Sequence, residues 1–128
     1  NRAIRTVIAF ASRTGNVFYI VSKLNLPNIE ITDGLIMSEP FLLCTYTDGL
    51  GEVPAVVASF MKHNHTYCKG IVVSGNSNFG HHVFAQAGDH LAKQYRIPLV
   101  CKLDLRGYAN DYERITKFYY EQFREVTS

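Results

Sequence analysis

Residues Ala9-Phe10-Ala11-Ser12-Arg13-Thr14-Gly15-Asn16-Val17 read as the end of a buried strand, a tight turn rich in hydroxyls with one glycine, and the start of a helix. Such a turn points several backbone N–H groups at one spot and adds the positive end of a helix dipole, which suits an anion. Ser12, Thr14 and Asn16 add side-chain donors, so the anion can be held by neutral hydrogen bonds without a dedicated lysine. A phosphate is the natural guest. The turn lacks the G-x-x-x-x-G-K-[ST] pattern of a nucleotide-hydrolysing loop and has no cysteine to serve as a phosphatase nucleophile. Binding fits it better than catalysis.

Outward from this turn, strand and helix patterns alternate. Thr6 to Ala11 is almost wholly apolar, as a strand buried on both faces is. Val17, Ile20, Val21 and Leu24 then fall at helical spacing, and Leu26-Pro27 ends that helix. Ile29 and Ile31 alternate with polar neighbours, which predicts a half-exposed edge strand. The stretch from Asp33 to Pro40 has room for at most a helical turn. Phe41 to Tyr46 predicts a central strand, and Pro54 suits the first turn of the next helix, whose stripe is Val53, Val56, Val57, Phe60 and Met61. Gly70 to Ser74 predicts another buried strand, followed by a helix with Phe84, Ala87, Gly88, Leu91 and Tyr95 on one stripe. Ile97 to Leu105 predicts the last strand. Asn110 with Glu113 resembles a capping box, and Ile115, Phe118, Tyr119, Phe123 and Val126 mark the closing helix.

This alternation predicts an α/β, flavodoxin-like three-layer sandwich: a five-stranded parallel sheet in order 2-1-3-4-5 with helices on both faces. Residues 1–128 are expected to form one domain, long enough to bury a core. No apolar run approaches the about 18 residues of a membrane span, and nothing at the start reads as a cleavable signal. The formal charge of +2 comes from scattered Lys and Arg rather than a basic stripe, which argues against nucleic acid. Cys44, Cys68 and Cys101 form no C-x-x-C pair; Cys44 and Cys101 lie in apolar runs and read as small buried hydrophobes. A reducing, cytoplasmic setting is expected. No interface-sized apolar patch is apparent, so the chain on its own is expected to be a monomer.

In such sheets ligands bind beyond the carboxyl ends of the strands, where the polar loops after strands one, three and four converge. The second loop runs Tyr46-Thr47-Asp48-Gly49-Leu50-Gly51-Glu52-Val53. Its closely spaced glycines allow backbone to approach a ligand or change conformation, although a flexible surface loop has the same composition. A flat redox ring here would meet backbone groups. If the Asp48-Gly49 peptide turns over, its carbonyl can accept a hydrogen bond from a ring nitrogen protonated on reduction. The third loop is Gly75-Asn76-Ser77-Asn78-Phe79-Gly80. Asn76 can read an imide-like edge, and Phe79 either covers a ring face or belongs to the core. His81 and His82 diverge on a helix and have no companion ligands, so they read as solvated.

Together the loops are specific. Ser12-Arg13-Thr14-Gly15-Asn16 resembles a flavodoxin phosphate loop for FMN. Thr45-Tyr46-Thr47, Gly51-Glu52-Val53-Pro54 and Val73-Ser74-Gly75-Asn76-Ser77-Asn78-Phe79-Gly80 resemble the NrdI family, the small flavodoxin-like activators of class Ib ribonucleotide reductase. Ala87-Gly88-Asp89, Tyr95-Arg96-Ile97-Pro98 and Leu105-Arg106-Gly107 extend the similarity over nearly the whole chain. The resemblance implies an FMN protein that reduces dioxygen and passes superoxide or peroxide to a dimanganese site in the reductase's small subunit, where a tyrosyl radical forms. A separate flavin reductant is implied. The metal belongs to the partner, so no metal ligands are expected here.

By motif position, Ser12, Thr14, Gly15, Asn16 and Val17 should hold the phosphate, with Arg13 also among the cofactor-binding residues. Tyr46, Thr47, Asp48, Gly49, Leu50 and Gly51 should line the flavin, and Gly75, Asn76, Phe79 and Gly80 its other edge. Asp48 and the Gly49 backbone should lie near flavin N5, where flexibility at Gly49 would tune how well the one-electron-reduced ring is stabilised. Two features depart from ordinary flavodoxins: Val17 replaces a hydroxyl residue, and the chain has no Trp for stacking, which leaves Tyr46 or Phe79 to that role. Two other readings are a general electron-transfer flavodoxin and a flavin-free binding module that kept the fold. A near-neutral chain lacks the acidic field that would steer it to basic reductases, and retention of all three loops speaks against the second.

Overall fold

The computed structural model describes residues 7–48, 51–79 and 84–123. The strands are β1 (Val7–Phe10), β2 (Asn28–Glu30), β3 (Phe41–Tyr46), β4 (Cys68–Gly75) and β5 (Leu99–Asp104). All their pairings are parallel, in the order β2-β1-β3-β4-β5. Four α-helices connect or follow them: α1 (Asn16–Leu24), α2 (Ala55–Asn64), α3 (Gln86–Tyr95) and α4 (Ala109–Phe123). This is the flavodoxin-like arrangement expected from the alternation of patterns.

The central strands are apolar throughout because both faces are covered. Ile8, Phe10, Leu42 and Cys44 pack on one side with Val17, Ile20 and Val21 of α1 and Ile115 of α4. Ala9, Leu43 and Ile71 pack on the other with Val57, Phe60 and Met61 of α2 and Leu91 of α3. All three cysteines are buried and unpaired. Among the described residues, no helix is long and apolar enough to cross a membrane.

Several boundaries differ from the sequence reading. The edge strand β2 is only three residues long and wholly exposed, and Ile31, just beyond it, is the isoleucine that turns into the core. Asn25 closes α1 in a left-handed conformation (φ 55°), its N–H donating to Val21 O at 3.3 Å. Pro54 stands one place outside α2 with extended ψ of 141°, and Val56 is exposed rather than part of the stripe. Phe84 precedes α3 instead of lying on it. The Asn110/Glu113 box does not form at the start of α4: Asp111 Oδ2 instead accepts from Tyr108 N at 2.8 Å. Tyr108 carries no capping side chain of its own, so only the reach-back half of a capping box is present. Val126 lies outside the described residues.

Asn64 is a buried polar residue with a clear purpose. Its Oδ1 accepts from Met37 N at 2.6 Å, and its Nδ2 donates to Leu35 O at 3.0 Å and Phe60 O at 2.8 Å. One side chain thereby fastens the link between β2 and β3 to the end of α2.

Candidate functional site at the carboxyl edge of the sheet

The first turn leaves β1 at Ala11, whose N–H donates to Cys44 O of β3 at 3.1 Å. Gly15 then takes φ 96°, a left-handed conformation that glycine adopts without strain. A Cβ there would project into open space, so this backbone is accessible to a guest. Ser12 Oγ accepts from Phe18 N at 3.2 Å and caps α1 across the turn. Its own hydroxyl proton is left for another acceptor. The N–H groups of Arg13, Thr14, Gly15, Asn16 and Val17 find no acceptor among the described residues. The Val17 side chain is buried in the core, so this residue can offer only its amide.

The second loop is tied to both neighbours. Thr47 N donates to Ser74 O of β4 at 3.0 Å. Arg13 reaches across from the first turn to Asp48 Oδ1 at 3.0 Å, its guanidinium carbon 5.4 Å from the centre of the Tyr46 ring. The Arg13 side chain is 60% exposed and that of Asp48 37%, so the ion pair is largely solvent-screened and worth only about 0–1 kcal/mol. A planar ligand laid on that face of Tyr46 would displace the guanidinium at little cost. Asp48 and Glu52 exchange backbone bonds of 2.8 Å, closing a tight loop, and Gly51 N donates back to Asp48 O at 3.2 Å. Gly51 has φ 103° and lies against Gln86: a Cβ there would fall 2.4 Å from Gln86 Oε1. Gly49 and Leu50, with Gly80, His81 and His82, lie outside the described residues, as does the side chain of Phe79.

One polar atom stands out. The Thr47 hydroxyl is closed off from solvent and has no hydrogen-bond partner among the described residues. Buried hydroxyls are nearly always satisfied, so a group that supplies the missing partner would fit here.

Asn76, expected to read a ligand edge, uses its Oδ1 to accept from Asn78 N at 2.9 Å. Its amide group keeps its donors. The same loop is fastened from below by Asp104, which accepts from Ser77 N at 3.1 Å and Ser77 Oγ at 2.5 Å. Gly75 O accepts from Leu105 N at 2.7 Å. A fourth segment, the turn after β5, is thus tied to these loops, and the sequence reading gave it no role in the site. It brings Arg106 to the first turn, where Nε donates to Asn16 Oδ1 at 3.3 Å. The first turn therefore has two arginines beside its neutral donors: Arg13 within it, paired with Asp48, and Arg106 from the segment after β5. Gln86 and Asp104 carry no local signal, and Arg106 lies in Leu105-Arg106-Gly107, a stretch of the family resemblance with no site role assigned to it; what places them is the position of each element at the carboxyl edge.

The donor set at the first turn fits a phosphate monoester: free backbone amides at a helix start, two hydroxyls and a carboxamide. The orphan Thr47 hydroxyl and the Tyr46 ring fit the polar edge and flat face of a ring system. The fold is also shared with solved flavodoxins. One is a short-chain flavodoxin associated with a non-canonical PDU bacterial microcompartment, at TM-score 0.72 and 22% identity, covering 98% of this chain and 100% of that one. Another is oxidised flavodoxin 2 from Bacillus cereus, at TM-score 0.66 and 20% identity, covering 93% and 99%. The model of the NrdI flavodoxin-like family matches residues 8–117. That span runs from the second residue of β1 through most of α4 and covers every loop described above, and the chain belongs to the NrdI flavodoxin-like family.

Proposed function

We propose that this chain is an FMN-binding redox activator. In this reading it reduces dioxygen and delivers the superoxide or peroxide to the dimanganese site of the class Ib ribonucleotide reductase small subunit, enabling tyrosyl radical formation there. Family membership over residues 8–117 carries the reading, and the donor-rich turn at Ser12–Val17 supports it. Bound FMN supplies electron transfer to dioxygen, drawing on a separate reductant. The near-neutral charge of +2 favours an activator over a carrier that docks on basic reductases.

The chain's own part is to bind and orient. The amides of residues 13–17, with Ser12, Thr14 and Asn16, hold the phosphate and so fix where the ring lies. Tyr46 offers an aromatic face once Arg13 swings aside. Thr47 gains a partner for its buried hydroxyl. Asp48, Gly49, Leu50 and Gly51 present backbone to the ring, with Gly75, Asn76, Phe79 and Gly80 along the other edge, so that the protein rather than water meets the polar ring atoms. The metal belongs to the partner. A reducing cytoplasm is the setting in which such a pair would meet.

The test begins with flavin uptake. Flavin-free protein titrated with FMN should bind one equivalent, with quenched flavin fluorescence and a shifted visible spectrum. A protein that stays colourless and leaves FMN fluorescence untouched would overturn the reading.

A further inference from the structure

We infer that Arg106 is a specificity-determining residue of the phosphate site, a cation that makes the site select FMN over its phosphate-free counterpart riboflavin. The inference rests on the FMN reading above and adds to it a residue from outside the phosphate turn.

The turn that carries Arg106 is pinned at several points. Leu105 N donates to Gly75 O at 2.7 Å, Ser74 Oγ to Leu105 O at 2.6 Å, and Gly107 N to Asp104 O at 2.9 Å. Tyr112 Oη donates to the carbonyl of Arg106 itself at 2.5 Å. The side chain is then aimed by two contacts. Its guanidinium carbon stacks 4.4 Å from the centre of the Tyr19 ring, on the outer face of α1. Its Nε donates to Asn16 Oδ1 at 3.3 Å. An arginine has only donors, so this bond fixes the orientation of the Asn16 carboxamide: oxygen toward Arg106, NH2 left to donate elsewhere. Residue 106 thus orients one phosphate donor and leaves its own terminal NH2 groups available as others.

Charge makes the contrast with Arg13. The Arg13 guanidinium is paired with Asp48 at 3.0 Å in the flavin-free chain. Arg106 makes no ion pair among the described residues. An uncompensated guanidinium beside free amides and a helix N-terminus favours a dianionic phosphate. It does nothing for a neutral hydroxyl. Because Arg106 is exposed, salt should screen its effect.

The experiment compares two ligands that differ only in the phosphate. FMN and riboflavin are titrated by fluorescence quenching into flavin-free wild type, Arg106→Ala and Arg106→Lys, at low and at physiological salt. Arg106→Ala should weaken FMN by about tenfold or more, leave riboflavin unchanged, and flatten the salt dependence of FMN binding. Arg106→Lys should recover part of the loss, because it keeps the charge but not the stacked, planar fork. Unchanged FMN affinity in Arg106→Ala, or equal weakening of both flavins, would overturn the inference and leave FMN binding standing. If wild type binds neither flavin, the inference and the FMN reading fall together.

Discussion

Replacing Thr47 with valine should make the flavin-free protein more stable and the flavin complex weaker, and the opposite signs are the point. In the structure the Thr47 hydroxyl is shut away from water with no partner among the described residues, while the backbone N–H of the same residue is satisfied by Ser74 O at 3.0 Å. An unsatisfied buried hydroxyl costs about 1–3 kcal/mol. Valine keeps the branched shape and removes the hydroxyl, so Thr47→Val should return roughly 1 kcal/mol or more to the flavin-free fold. Melting entropy scales with length, and for 128 residues each kcal/mol moves Tm by about 4 °C. In the complex, the same substitution deletes one hydrogen bond worth about 1 kcal/mol, so FMN affinity should fall about fivefold. Calorimetry on stripped protein and an FMN titration give both numbers. Thr47→Ser, which keeps the hydroxyl, should retain affinity without the gain in Tm. A stripped Thr47→Val protein that melts lower, or binds FMN as tightly as wild type, would refute the idea that this hydroxyl waits for a ligand.

Other expectations follow from the same geometry. Asn64→Ala strands the Met37 N–H and the Leu35 carbonyl in the interior; it should cost about 3 kcal/mol, lowering Tm by roughly 10 °C in thermal denaturation. Burial pushes the thiols of Cys44, Cys68 and Cys101 from the ordinary 9.0 up to about 12, so none should react with a disulfide reagent at pH 8 until the chain is denatured. The same shift raises the folded-state pKa above the unfolded one. The stability these neutral thiols contribute is therefore full below pH 9 and lost as pH climbs toward about 12, which denaturant titrations across that window will show. Gly49→Pro should shift the flavin's reduction potentials with FMN still bound; an unaltered redox titration would remove the proposed role of that peptide.

The sequence made the buried framework legible because parallel central strands are apolar on both faces and helices repeat at their own period. Phe41 to Tyr46 and Ile71 to Val73 could hardly be anything but core strands. Helix starts were less legible. At α4 the N-cap is Tyr108, which offers no capping side chain, and the reaching carboxylate is Asp111 rather than Glu113. The first turn could be read as an anion site because its donors lie within six consecutive residues. The charge that Arg106 adds could not, since Arg106 is 90 residues from Asn16 and meets it only through tertiary packing. Gln86 against Gly51 and Asp104 beneath Ser77 were hidden for the same reason. Val17, first on the apolar stripe of α1, is buried as that spacing predicts.

The role proposed for this chain is to activate a protein partner rather than merely to carry electrons. The direct measurement is electron paramagnetic resonance on the manganese-loaded class Ib small subunit, mixed with anaerobically reduced, FMN-loaded protein and then exposed to oxygen. A tyrosyl radical signal that requires this protein is the predicted result. An FMN-loaded, fully reduced protein that yields no radical would rule out that role.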